Sequence, residues 1–336
     1  MKFCKKFFAV LLCALLIAAA FAGCAPSSKP NNGAENQDLK VAILQYMPHS
    51  SLDNCTQGVV NALDNAGIAY DIQIGSSGSA YADCESYAAQ MAASDYDLII
   101  PVATPAALTA YAAVRNASKD TPVVFCAVSD PVEAKLVQSL EAPGNNCTGT
   151  ADAFDIPGQV ALIKQLQPEI KNLGVLYTDS EANSISQLRT LQAECDAAGI
   201  TLIAQGIHEA AELAEAASVL IPKVDAITNL TDNNVVDNMQ VFLSQAEDAG
   251  VPVYGSEIEQ VKKGCIASAS LDYVALGEKT GEMAIDILKG ANASEYAVVT
   301  VMDSFIVINS DITEKLGITI PAELSQAETV KTETAE

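Results

Sequence analysis

The chain alternates short apolar runs with helix-length stretches, and it does so in two successive series. Lys40 to Tyr46 (KVAILQY), Ala69 to Ile74, Asp97 to Val102 (DLIIPV) and Pro122 to Ala127 (PVVFCA) read as strands. Between them lie helical stretches from Leu52 to Ala66, Tyr81 to Ala93, and Thr104-Pro105 to Ala117. Near-continuous apolar strands belong to parallel sheets buried on both faces, and β-α alternation supplies the covering helices. After a short extended piece, Asn145 to Thr150, the pattern restarts. A helix from Gly158 to Gln167 precedes a strand at Leu173 to Tyr177 and a helix from about Ala182 to Ala198, closed by Gly199. Strands follow at Ile200 to Gly206, Val224 to Asn229, Val251 to Tyr254, Cys265 to Leu271 and Phe305 to Asn309. Roughly 285 residues exceed one typical core. The expected fold is therefore α/β, with two doubly wound parallel-sheet lobes joined by a hinge. Lobe 1 is expected over 39–150 plus about 272–300, and lobe 2 over 151–271 plus about 301–324. A cleft between such lobes is a preferred place for a small-molecule site. The Glu- and Thr-rich tail, 325–336, is expected to be disordered.

Residues 1–23 have the order of an export signal. Lys2, Lys5 and Lys6 precede an apolar run from Phe7 to Phe21, then Ala22-Gly23-Cys24. The run is short for a membrane span. Cys24 is placed like the lipid-modified cysteine of bacterial lipoproteins, and 24–38 has the Pro, Ser, Asn and Gly composition of a flexible tether. The expected product is an extracytoplasmic domain, lipid-anchored to the cell membrane.

A net charge of −24 argues against nucleic acid as a partner. Past the export segment the cysteines are Cys55, Cys84, Cys126, Cys147, Cys195 and Cys265, with no CxxC pair and no metal spacing to His49 or His208. No metal and no cofactor is expected. Cys55 and Cys84 fall on the first two helices; with strand order 2-1-3 those helices lie on opposite faces, which argues against a disulfide between them. GxSxG, GxGxxG after the first strand, a Walker loop and HExxH are all missing, which argues against an enzyme.

In open α/β sheets, ligands bind at the carboxyl ends of strands, where helix N-termini offer free N–H groups. The turn in LGVLYTDSEANSISQL is such a place, with Ser180, Asn183 and Ser184 as N-cap types, although every βα unit has a comparable turn.

The ordered set VAILQY, DLIIPVATPAA, PVVFCAVSDPVEAKLV, PGNNCTGTAD, LGVLYTDSEANSISQL, VDAITNLTDNN and VPVYGSEIEQVKKGCIASASLDYVALGEKTGEMAIDILKG resembles the ABC-transporter substrate-binding lipoproteins that include the tryptophan-binding TrpX-type proteins. The resemblance runs from about Leu39 to Leu324. Cys147, in NNCTG, stands where the family usually has an apolar residue. The resemblance implies a type I periplasmic-binding-protein fold with three interlobe crossovers. It also implies capture of an aromatic amino acid, or a similar small solute, for an ABC permease, and a monomer is expected. The same capture could serve a membrane-bound sensor; the sequence does not separate the two.

Such a ligand needs donors for its carboxylate, an anion for its ammonium and apolar walls. Asn183 and Ser184 are the expected carboxylate donors, with Thr104, before Pro105, as a second edge. Asp232, beside Asn233, is the leading ammonium partner. Asp130 is the alternative, equally readable as a turn residue before Pro131. Gln45 ends the first strand, with Tyr46, His49 and Leu52 over the mouth of the cleft; for His49 a solvated loop position is the commoner case. Glu257 is either a second-lobe contact or an ordinary acid at a helix start. Asp272 sits at a crossover as hinge or contact. Tyr177 and Phe125 either stack on a ring or belong to the core.

Overall fold

The computed structural model describes residues 39–78 and 80–333. The signal, Cys24 and the tether lie outside the described residues. Strands β1 (Lys40–Gln45), β2 (Ala69–Ile74), β3 (Leu98–Val102), β4 (Val123–Phe125) and β5 (Cys147–Asp152) alternate with helices α1 (Ser50–Ala66), α2 (Ala80–Ala93) and α3 (Thr104–Asn116). The second series begins with α4 (Ile156–Leu166), β6 (Asn172–Thr178), α5 (Ala182–Ala198), β7 (Thr201–Ile207), α6 (Leu213–Leu220) and β8 (Ala226–Thr228). It continues through α7 (Asn233–Asp237), α8 (Met239–Asp248), β9 (Val253–Tyr254), α9 (Ile258–Lys262) and β10 (Ala267–Ser270). Then come α10 (Tyr273–Leu288), β11 (Val299–Val301), β12 (Phe305–Asn309), α11 (Ser310–Lys315) and β13 (Glu328–Val330).

The first lobe is a parallel six-stranded sheet in the order β11-β5-β4-β3-β1-β2. All of β3 and all of β1 past Lys40 are buried, because helices cover both faces: α1 packs on α10, and α2 on α3. Strand order 2-1-3 holds, and the six described cysteines are buried and free. The second lobe carries a parallel sheet in the order β7-β6-β8-β9 and a small sheet in the order β10-β12-β13. Two bonds stitch these sheets together, Gly255 N–H to Ala267 O (2.9 Å) and Ile266 N–H to Val253 O (2.7 Å). The chain passes between lobes after Asp152, after Ser270 and after Val301.

The close approach of α1 to α10 fixes the start of α1 against the cleft. A Cβ on Gly277 would stand 2.0 Å from Cys55 O, and one on Gly58 2.1 Å from Val274 O. Glycine usually weakens a helix by about 1 kcal/mol relative to alanine. Here contact with backbone leaves no alternative.

Val299–Val301 adds an edge strand to β5; three residues are too few for a periodic signal in the sequence. Two expectations need correction. β10 pairs antiparallel with β12, because β12 enters the second lobe from the other lobe and runs back. The tail is ordered through Glu333: β13 pairs in parallel with β12, and Asn309 Nδ2 donates to Thr332 Oγ1 at 3.0 Å. Edge pairing uses backbone groups, so a polar tail can supply it.

Candidate ligand-binding site

Between the lobes lies a cleft lined by the starts of α1, α3, α5 and α7 and the ends of β4 and β5. Its cavity volume is only about 20 Å³, far below the roughly 300–1,000 Å³ of an open small-ligand pocket, so the lobes are closed on one another. Hydrogen bonds cross the gap. Gln187 Nε2 donates to Ser129 Oγ (3.0 Å) and Ser186 Oγ to Asp130 Oδ2 (3.0 Å), and His49 Nε2 meets Asn233 Oδ1 at 3.2 Å. Arg189 pairs with Glu133.

The lining contains Asp152 and Asp232 and no lysine or arginine. The two acids differ in how fully they are bonded. Asp232 caps α7, accepting from Val235 N–H (2.9 Å), from Thr178 N–H and Oγ1 (2.5 and 2.8 Å) and from Ser184 Oγ (2.7 Å). A carboxylate has about four acceptor sites, and those of Asp232 are filled. Burial still raises its pKa. Asp152, at the end of β5, accepts from Ser129 Oγ (3.1 Å) and lies beside the Tyr273 hydroxyl. Burial pushes it up to about 7, against the lowering effect of those hydroxyls. It is the lining acid with acceptor capacity to spare.

Behind the lining, Glu181 is the N-cap residue of α5. Its carboxyl accepts from the Asn233 amide (2.6 Å), the Asn183 amide (3.1 Å) and Asn233 N–H (3.1 Å). Burial, and then the neighbouring Asp232, push it up to about 8. The Glu181 carboxyl thus occupies the start of α7, accepting from Asn233 and Asn234 N–H, and leaves α5 without a side-chain cap.

Three lining side chains carry buried polar atoms with no partner: His49 Nδ1, Thr104 Oγ1 and Asn183 Oδ1. Buried polar atoms are almost always paired, so this cluster marks where a ligand supplies the missing groups. Helices α1, α3 and α5 have no side-chain cap, whereas α7, α9 and α10 are capped by Asp232, Glu257 and Asp272. The field of an open helix start favours a carboxylate at all three, but at α5 the bare atom is the Asn183 Oδ1 acceptor, which a carboxylate cannot bond, whereas at α3 the Thr104 hydroxyl can donate. Ala103 and Ala127 line the wall at φ 82° and 55°. Such conformations cost non-glycine residues about 1–3 kcal/mol and cluster at ligand clamps.

Of the residues expected from sequence, Leu52, Thr104, Asn183, Asp232 and Asn233 line the cleft. His49 lines it too, rather than sitting in a solvated loop. Pro105 is buried within the first turn of α3, outside the lining. Gln45 does not reach the cleft: its amide donates to Met47 O and Asp53 and accepts from Thr56. Asp130 is a turn residue, accepting from Glu133 N–H, and also an interlobe acceptor for Ser186. Ser184 donates to Asp232, so the two expected recognition partners hold each other. Glu257 and Asp272 are helix caps outside the lining. Tyr177 packs over Gly206 of the neighbouring strand, and Phe125 is core. Asp152, Glu181 and Ser129 went unread. An acid closing the strand TGTAD just before a crossover was the available signal for Asp152.

The ABC transporter substrate binding protein family model matches residues 40–331. The chain belongs to that family. A tyrosine-binding protein of Clostridioides difficile (strain R20291) is 34% identical over 324 residues, covering 93% of this chain and 92% of the relative. The ABC domain solved in complex with L-Trp from Streptococcus pneumonia is 33% identical with a TM-score of 0.83, covering 87% of this chain and 100% of that one. A ligand-free, open substrate-binding protein with adhesive properties from Clostridium difficile is 35% identical, covering 88% and 100%, but its TM-score is 0.66. At similar identity, this substrate-binding protein thus superposes better on the L-Trp complex than on the open form, in keeping with its closed cleft. Its fold is the type I periplasmic-binding-protein fold, and its family places it in ABC import, outside the cytoplasm, as a binder and not an enzyme. Among the described residues no helix is long and apolar enough to cross a membrane.

Proposed function

We propose that this substrate-binding protein captures a free aromatic amino acid, tyrosine or tryptophan, and delivers it to an ABC permease. The ammonium sits on Asp152. The carboxylate lies at the uncapped start of α3, with the Thr104 hydroxyl as a donor. The ring lies between Leu52 of α1 and Val236 of α7. The observation that carries this reading is the set of unpaired buried atoms around a lining that has one unsaturated acid and no cation. The relatives named for tyrosine and solved with L-Trp support the ligand class. Asp152 replaces Asp232 as ammonium partner because Asp232 has no acceptor left. Isothermal titration calorimetry tests the class: L-tyrosine or L-tryptophan should bind with one-to-one stoichiometry, and heat from neither would contradict it.

The protein acts as a monomer on a lipid anchor at Cys24. The anchor rests on Ala22-Gly23-Cys24 after the apolar run. Cys24→Ser should remove the protein from the membrane fraction; unchanged association after that substitution would count against lipidation.

A further inference from the structure

His49 carries an acceptor that the proposed main-chain contacts leave unused. Its ring is oriented by a chain of bonds. Asn233 Nδ2 donates to Glu181 Oε2 at 2.6 Å, so Asn233 Oδ1 is the atom that faces His49 Nε2 at 3.2 Å. An oxygen there requires Nε2 to carry the hydrogen, which leaves Nδ1 as a bare lone pair. Nδ1 is buried, lines the cleft and has no partner. Burial lowers the pKa of this histidine, so the ring is neutral near pH 7. Asn183 Oδ1 is a second bare acceptor tied to the same corner: its amide nitrogen donates to Glu181 and, at 2.9 Å, to Thr231 O. Leu52 lies one turn into α1 beyond His49, and Val236 one turn into α7 beyond Asn233. The corner therefore has apolar walls and acceptors at its end.

Building on the aromatic amino acid reading, we infer that His49 is the residue that selects among aromatic rings, accepting a hydrogen bond from a polar hydrogen on the ring itself. The phenol O–H of tyrosine and the indole N–H of tryptophan both supply one. Phenylalanine supplies none and would leave Nδ1 buried and unpaired. A site built to bond a substrate hydrogen discriminates strongly against the analogue that lacks it. The ammonium does not compete for Nδ1, since the Asp152 carboxylate attracts it by charge.

The test is the ratio of dissociation constants for L-phenylalanine and for the tighter of L-tyrosine and L-tryptophan, measured by calorimetry on the full chain. The wild type should show a ratio of about tenfold or more, the usual effect of one unpaired buried acceptor. His49→Leu should bring the ratio close to one, and His49→Gln, which keeps an acceptor, should restore part of it. The bond from His49 to Asn233 also joins the lobes, so all three affinities fall in His49→Leu. The ratio is insensitive to that common loss. Equal wild-type affinity for phenylalanine overturns the role of His49 while leaving aromatic capture intact. A wild-type ratio retained in His49→Leu does the same. Binding of none of the three overturns both.

Discussion

Asp152→Asn should weaken binding of L-tyrosine or L-tryptophan by about 2–5 kcal/mol, the usual loss when one partner of a desolvated charge pair is removed. The carboxylate is buried at the end of β5, bonded to the Ser129 hydroxyl and beside that of Tyr273, with no cation in the lining. Melting temperature should not fall, because the substitution removes a buried charge that the fold does not neutralise. A pH dependence follows. Burial pushes Asp152 up to about 7, and the ammonium requires the ionised form. Below pH 7 the site must first lose a proton. Affinity should therefore fall as pH drops through 7, approaching tenfold per pH unit, and level off above it. Calorimetry between pH 5.5 and 8.5 measures the slope, and Asp152→Asn should flatten it. A slope unchanged in that variant would move the effect to Glu181 or Glu257, which burial pushes up to about 8 and about 7.

Asp232→Ala should act the other way, costing about 3 kcal/mol of stability. The substitution removes the cap of α7 and orphans Thr178 N–H, Thr178 Oγ1 and Ser184 Oγ, all buried. A lost cap costs about 1 kcal/mol and each stranded donor about 1–3, partly recovered by relaxation. Thermal or urea denaturation reads this directly. If Asp232→Ala melts like the wild type and loses only affinity, Asp232 is the ammonium partner after all.

These two residues mark what the sequence could and could not reveal. The strands were legible because β1 and β3 bury every side chain past Lys40, which only a doubly covered parallel sheet requires. The edges that meet in the cleft were legible too: Leu52, Thr104, Asn183 and Asn233 stand where strand ends pass into helices. The occupation of each polar group was not. Ser184 and Asp232 are 48 residues apart and bond to each other. The Gln45 amide is held within lobe 1 by Asp53 and Thr56. Glu257 and Asp272 are local caps, and their spacing to the following backbone N–H groups was readable as capping. Asp152 looked like any strand-end acid until folding put it in a cleft without a counter-charge.

A crystal structure of the protein with L-tryptophan shows where the two charged ends of the ligand sit. The ammonium nitrogen is expected at about 3 Å from an Asp152 carboxylate oxygen, the carboxylate at the Thr104 start of α3, and the indole between Leu52 and Val236 with its N–H toward His49. An ammonium on Asp232 with Asp152 uninvolved, or a ligand turned end for end, would contradict this arrangement.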